Sequence, residues 1–314
     1  MIKPFDKAFW QGRVDVEDGI SGKRWHQLIQ EFPKTHQAYL DKSVVFLGFA
    51  SDEGVRRNKG RVGAAKAPDI IRKTISSLPQ RFSAVSALYD YGNVVCVGQN
   101  LEEARSEQIQ ILKSLIKKKS YPLVLGGGHE VAYGNFLALT DKFQKIGIIN
   151  IDAHFDLRLP NPDSNSGTGF YEMAEWSKEN QRDFNYMCLG VQEVGNTKAI
   201  FDRADQLQAH YVLADEIHEG NRAWSILLNT FIDKVDAIYL SLDMDCFDSS
   251  YAPGVSAPTT NGLTPFQVKG IIKYILDSRK VKLMDVAEYN PEYDIDNRTA
   301  KLAAHMISEM VHNL

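Results

Sequence analysis

Lys145-Ile146-Gly147-Ile148-Ile149-Asn150-Ile151-Asp152-Ala153-His154-Phe155-Asp156 decides the fold. Its first seven residues are mostly apolar and β-branched, the composition of a strand buried on both faces. Its last five switch to carboxylates and an imidazole. A strand buried on both faces belongs to a parallel sheet covered by helices. In such sheets ligands sit beyond the carboxyl ends of the strands.

Outward from this stretch, residues 43–50, 121–125, 186–190, 211–214, 237–242 and 283–287 read as further short apolar strands. Helical spacing fills most of the intervals between them. Residues 101–119 place apolar side chains at helical spacing and end in Lys117, Lys118 and Lys119, which suits the helix dipole. Residues 297–314 close the chain as a helix. The class is α/β.

The 314 residues are 44% hydrophobic and 24% charged, enough to bury a core and too apolar for a disordered chain. Thirty-six basic against 40 acidic residues give a net charge of -4, which argues against a general nucleic-acid binder. The longest apolar run, residues 44–50, is too short to span a bilayer. Residues 1–20 lack the apolar core of a signal peptide. Cys96, Cys188 and Cys246 are odd in number and widely spaced, which fits unpaired thiols in a reducing cytoplasm. No repeat or linker stands out. The chain reads as one domain over 1–314, with residues 1–42 a less regular leader.

Three strand ends carry metal-ligand residues. Gly126-Gly127-Gly128-His129-Glu130 follows Leu125, Asp152-Ala153-His154-Phe155-Asp156 follows Ile151, and Asp243-Met244-Asp245 follows Leu242. Alternate side chains of an extended segment share a face, so Asp152, His154 and Asp156 converge, as do Asp243 and Asp245. Aspartates leaving a buried strand are costly unless paired or metal-bound. Four carboxylates and two imidazoles form a hard donor set suited to Mn²⁺. Two divalent ions offset four carboxylates, leaving a bridging hydroxide as the excess negative charge. Each piece alone is weak: a DxH is often a turn, a lone His is often structural, and the triple glycine lacks the GK[ST] of a phosphate loop. Together at strand ends they point to a binuclear centre.

GGGHE, NIDAHFDLR, SLDMDCFDSSYAPGVSAP and DVAEYNP together resemble the ureohydrolases: arginase, agmatinase and formiminoglutamase. The resemblance runs from about Val44 to the C-terminus. It implies a three-layer αβα fold with an eight-stranded, mostly parallel sheet and two Mn²⁺ per subunit. It implies His129, Asp152, Asp156 and Asp245 for one ion or the bridge, and Asp152, His154, Asp243 and Asp245 for the other. Glu288 matches the glutamate that holds the amidine or guanidine, and a carboxylate facing a planar cation makes two charge-assisted hydrogen bonds. Asp156 is implied as the group passing a proton to the leaving nitrogen. Relatives form trimers or hexamers, so a homo-oligomer is implied.

Three features bear on the substrate. Ser166-Gly167-Thr168-Gly169-Phe170 resembles the SGTPF of formiminoglutamases, with Gly169 in place of Pro. Arginases and agmatinases place a proton-shuttling His where Ser166 stands; His218 is a candidate to enter from elsewhere. Arg158, two residues beyond Asp156, offers a bidentate fork to an anion. Gly54-Val55-Arg56-Arg57-Asn58-Lys59-Gly60-Arg61 is similar to segments of formiminoglutamases, and Asn58 and Arg61 are its better candidates for substrate binding. Formiminoglutamate has two carboxylates, arginine one and agmatine none, and a cationic pocket ranks them in that order. The expectation is hydrolysis of N-formimino-L-glutamate to L-glutamate and formamide, in histidine breakdown, by attack of a metal-bridging hydroxide. The alternative is an arginase or another guanidino-acid ureohydrolase releasing urea. A binding protein without turnover is the remaining class, against which the complete set of six ligand residues argues. A one-zinc deacetylase of related fold would carry fewer aspartates.

Overall fold

The computed structural model describes residues 1–33, 40–220 and 223–314. Residues 34–39, part of the leader, lie outside the described residues. Among the described residues ten strands form one sheet. They are β1 (Ile2–Lys3), β2 (Ile29–Glu31), β3 (Val44–Ala50), β4 (Leu88–Val95) and β5 (Tyr121–Leu125), then β6 (Ile146–Ile151), β7 (Asn185–Val191), β8 (His210–Leu213), β9 (Ala237–Asp243) and β10 (Val281–Ala287). The order is β1-β4-β3-β5-β10-β9-β6-β7-β8, with β2 also on β4. Strands β3 to β10 pair in parallel throughout.

The expected count of eight strands is therefore corrected to ten. The additional two come from the leader: β2 runs parallel to the start of β4, and β1 runs antiparallel to its end. Strand β4 lacks the sequence signal of its neighbours, because Asp90, Gly92 and Asn93 break its apolar run. Asp90 is fully buried because Arg72 Nε and Trp10 Nε1 both donate to its Oδ2 at 2.8 Å. A buried carboxylate bound on two sides keeps its place in a strand.

The period of two along the strands builds two separate cores. Phe46, Ile149, Ile151 and Leu240 face one side, where α2 (Ala67–Ile75), α9 (Pro265–Asp277) and α10 (Arg298–His312) pack, with α7 (Ala214–His218) and α8 (Ala223–Asp233) beyond. Val45, Leu47, Ile148 and Tyr239 face the other, against α3 (Leu101–Lys117), α4 (Val131–Leu139), α5 (Gly169–Glu179) and α6 (Lys198–Gln206). The result is the three-layer αβα arrangement. Trp10 and Trp25 of the leader are buried in the first core.

Strands β5, β10, β9 and β6 are consecutive in the middle of the sheet. Neighbouring strands lie about 4.8 Å apart. Their carboxyl ends and the loops that leave them are thus forced together, and these carry His129, Glu288, Asp243 and Asp152. The helix α1 (Glu53–Arg57), which follows β3, borders the same edge.

Candidate metal centre

Asp152 leaves β6 fully buried. Asn150 Nδ2 donates to its Oδ2 at 2.9 Å, and the His154 amide donates to its Oδ1 at 2.7 Å. The second bond shows that the chain has already turned by residue 154. Convergence here does not come from strand alternation. It comes from a bent loop in which Asp156 adopts φ +48°. Asp245 likewise follows a turn rather than extended chain, its amide donating to Asp243 Oδ1 at 2.7 Å.

The six residues expected as ligands come together in two groups that share Asp152. His129 Nδ1 stands 2.9 Å from Asp243, 3.0 Å from Asp156 and 3.3 Å from Asp152. His154 Nδ1 stands 3.1 Å from Asp245 and 3.6 Å from Asp152. The family resemblance implies Asp245 for the first group or the bridge, and Asp243 for the second. The geometry puts Asp243 in the first, because Asp243 ends β9 beside β10 and β6, while the turn carries Asp245 outward to His154.

Burial alone would lower the His129 imidazole, but the carboxylates of Asp152, Asp156 and Asp243 hold it well above its ordinary value. The charge on Asp245 does the same for His154 against its burial. Burial pushes Asp243 far up and Asp245 up to about 6. Asp152 is held below its ordinary value, the two imidazoles outweighing its burial. His129 Nδ1 and Asp245 Oδ1 are buried without a hydrogen-bond partner. Buried polar atoms left without a partner among crowded carboxylates call for a cation beside them. Four carboxylates and two imidazoles fit hard divalent ions.

Glu288 follows β10 and faces the same cavity, at φ +63°. Its Oε1 accepts the His129 amide at 2.8 Å, tying the two strand ends together. Burial, then the neighbouring Glu130, push its carboxyl up to about 8. Asp156 and Glu288 both occupy left-handed backbone, which costs about 1–3 kcal/mol for a non-glycine residue and clusters at functional sites.

A cavity of about 120 Å³ opens onto these groups, lined also by Asn58, Arg158 and Ser166. Asn58 Nδ2 donates to Ser166 Oγ at 3.2 Å. Gly167 makes this corner possible, since a Cβ there would lie 2.8 Å from Arg158 Cδ and 3.1 Å from Asn58 Nδ2. The triple glycine has a packing reason too: a Cβ on Gly127 would stand 1.8 Å from the Ser51 carbonyl oxygen.

The structure does not bring Arg61 to this cavity. Its Nε and its other end donate to the carbonyls of Ser256 and Val255 at 2.9 and 2.5 Å, and its guanidinium lies over Tyr293. Arg56 and Arg57 are bound to Glu53. His218 also stays away, with Nε2 3.2 Å from the Asn261 carbonyl.

Residue patterns missed the polar groups behind the centre. Glu130, fully buried, accepts from Ser51 Oγ and the Gly54 amide, and burial pushes it up to about 7. Asn196 joins the cavity wall while its Nδ2 donates to the Ala153 carbonyl at 2.9 Å. Ser241 and Asp285 sit within strands, where a polar residue in an apolar run was the available signal.

Residues 42–312 match the arginase family. The formimidoylglutamase of Aeromonas hydrophila is 41% identical over 315 residues, covering 99% of either chain. That of Legionella pneumophila is 39% identical over 313 residues, 98% of this chain and 97% of the relative. A formiminoglutamase of Trypanosoma cruzi, solved with Mn²⁺, superposes with a TM-score of 0.78 at 27% identity, covering 88% of this chain and 95% of that one.

Proposed function

The chain belongs to the arginase family, and on that premise we propose that it hydrolyses N-formimino-L-glutamate to L-glutamate and formamide with two Mn²⁺ ions. One observation carries the reading. Two ligand groups sharing Asp152 face Glu288 across a cavity whose outer wall is Arg158, a cation without an ion-pair partner among the described residues. The curated relatives of near-equal length named formimidoylglutamase support the substrate.

His129, Asp152, Asp156 and Asp243 would hold one ion, and Asp152, His154 and Asp245 the other. When bound, the pair supplies Lewis acidity and lowers the pKa of water toward neutrality. Glu288 orients the amidinium by two charge-assisted hydrogen bonds and presents the formimino carbon to water. Asp156 takes a proton from the attacking water and delivers it to the amino nitrogen of glutamate as the C–N bond breaks. The carbon keeps its other nitrogen and leaves as formamide. Asn58 holds Ser166 at the site where arginases carry a His, so this short relay through Asp156 suffices. Arg158 takes the carboxylate nearest the reacting nitrogen.

The reading includes one domain over 1–314, which the burial of the leader's Trp10 and Trp25 supports. It includes a cytoplasmic homo-oligomer acting in histidine breakdown; the three unpaired cysteines support the compartment. No described helix is long and apolar enough to cross a membrane.

The test is a product assay on Mn²⁺-loaded protein with formiminoglutamate, arginine and agmatine in parallel. Glutamate and formamide from the first alone support the proposal. Urea from arginine with formiminoglutamate inert overturns it.

A further inference from the structure

The metal-centre cavity does not end at Arg158. Asn58, Arg158 and Ile200 also border a second cleft of about 410 Å³ that lies outside it. The two spaces differ in charge. Asp156, Asp243, Asp245 and Glu288 line the inner one, whereas no carboxylate side chain among the described residues lines the outer one. Its charged side chains are Arg57, Lys59, Arg158 and Arg203. Arg57 is spent on Glu53 and Glu102, at 2.9 and 2.7 Å. Arg203 uses one nitrogen on the Leu157 carbonyl and lies over Tyr171, which leaves the rest of its fork without an acid partner among the described residues. Lys59 has neither an ion pair nor a side-chain hydrogen bond among them.

The backbone of Lys59 adds a second observation. It sits just past α1 at φ +63°, where glycine is the unstrained choice, and Gly60 is its neighbour. A lysine here holds a cation at the mouth at a cost in backbone strain. Unpaired cations grouped around one cleft, next to a carboxylate-rich centre, form a site for an anion.

We infer that the outer cleft binds the distal carboxylate of the substrate, with Lys59 and Arg203 as specificity-determining residues and Arg158 at the boundary holding the nearer carboxylate. The inference deepens the proposed function and rests on it. Attack at the formimino carbon fixes one end of the substrate at Glu288. The amino-acid skeleton then runs outward past Arg158, and a side chain ending in a carboxylate reaches the cleft. An amide at that end leaves both cations unmatched.

The experiment compares N-formimino-L-glutamate with N-formimino-L-glutamine on Mn²⁺-loaded wild type, Lys59→Gln, Arg203→Gln and the double variant. Wild type prefers the glutamate compound by at least about tenfold in kcat/KM, and the double variant lowers the ratio below about threefold, with the loss in KM. Lys59→Arg retains the preference. Lys59→Gly removes the charge while relieving the left-handed backbone, so a lost preference with an unchanged or raised Tm excludes a folding defect. An undiminished preference in the double variant, or equal losses on both compounds, overturns the inference. If wild type hydrolyses neither compound, the proposed function fails by itself. Calorimetry of L-glutamate against L-glutamine on the same proteins then decides: preferential glutamate binding lost in the double variant supports the cleft, and no difference between the proteins overturns it.

Discussion

His129 turns its Nε2 to within 2.9 Å of the Ser241 hydroxyl, on the opposite side of the ring from the carboxylates. Ser241 Oγ donates in turn to Asp285 Oδ1 at 2.8 Å. Asp285 is fully buried and also accepts from Tyr239 and from Asn135 Nδ2. Since the one hydroxyl proton of Ser241 points to Asp285, its oxygen receives the Nε2 proton of His129. That fixes the tautomer and leaves the Nδ1 lone pair facing the centre. Ser241→Ala and Asp285→Asn are expected to weaken Mn²⁺ binding about 10–100-fold, measured by calorimetric titration. Unaltered affinity in both variants would show that the ring is held by packing alone.

The groups of the centre also set how the metal-free protein responds to pH. Burial raises Glu288 to about 8, Glu130 to about 7 and Asp245 to about 6, so each holds a proton in the folded state that it would release on unfolding. His129 and His154 are raised as well and bind protons more tightly when folded. All five shifts have one sign between pH 6 and 8: the folded state binds more protons, so stability falls as pH rises. Asp152, lowered, has the opposite sign, but its window lies below pH 4. Metal-free protein should therefore melt at a lower temperature at pH 8 than at pH 6. At one fixed concentration Mn²⁺ should restore more at pH 8, where fewer protons compete and its Kd is lower; a concentration 100 times the Kd stabilises by about 2.7 kcal/mol. Melting curves with and without a chelator check both points; a metal-free Tm that rises toward pH 8 contradicts them.

Glu288 supplies a kinetic counterpart. In the proposed role the amidinium requires the carboxylate form, so KM should fall as pH rises toward the group's raised pKa. Bound cations move the midpoint down without changing the sign. Glu288→Gln should flatten this slope and reduce kcat/KM about 100-fold or more. A pH profile of the variant that parallels wild type would assign the slope to another group.

How much of this was legible in residues alone follows from which interactions are local. Strands buried on both faces announce themselves, and seven of the eight strands from β3 to β10 do so. The eighth, β4, hides because Asp90 is ion-paired by Arg72 and hydrogen-bonded by Trp10, 18 and 80 positions away. The leader strands β1 and β2 are two and three residues long and mostly exposed, too short to carry a period. The candidate ligand residues are legible because a carboxylate at the end of an apolar strand is conspicuous. Their grouping is not, since it depends on the φ of Asp156 and the turn before Asp245. Cations are the least legible, because each of Arg56, Arg57, Lys59 and Arg61 looks alike until its partner is known.

Arg61 and Arg158 separate by that criterion, and their variants should fail differently. Arg61 bonds two backbone carbonyls of the 253–257 loop, so Arg61→Ala leaves them without their donors and should cost about 1–3 kcal/mol of stability. Arg158 is exposed and its side chain has no ion pair among the described residues. Arg158→Ala should shift stability by less than about 0.5 kcal/mol while raising KM for formiminoglutamate about tenfold or more. Denaturant midpoints and KM values for the two variants check the contrast. A stable Arg61→Ala with a raised KM would return Arg61 to the substrate.

Gly169, the departure from the SGTPF pattern, has a local account. It opens α5, and a Cβ placed on it meets nothing nearer than 3.8 Å. Its φ lies outside the left-handed region, so alanine fits without strain. Gly169→Ala should therefore stabilise the protein by about 0.4–1 kcal/mol, chiefly by restricting the unfolded chain. Proline would restrict that chain further and is favoured at a first helical position. Here, however, the preceding Thr168 sits at φ -114° and ψ -10°, a conformation that a following proline ring disfavours. To admit it, Thr168 would leave the position from which its hydroxyl accepts the Asn165 amide at 2.9 Å. That bond shapes the loop carrying Ser166. The Tm should be highest for Gly169→Ala, intermediate for wild type and lowest for Gly169→Pro, with the proline variant alone raising KM. A proline variant more stable than the alanine one would mean that the Asn165–Thr168 turn yields more easily than its hydrogen bonds indicate.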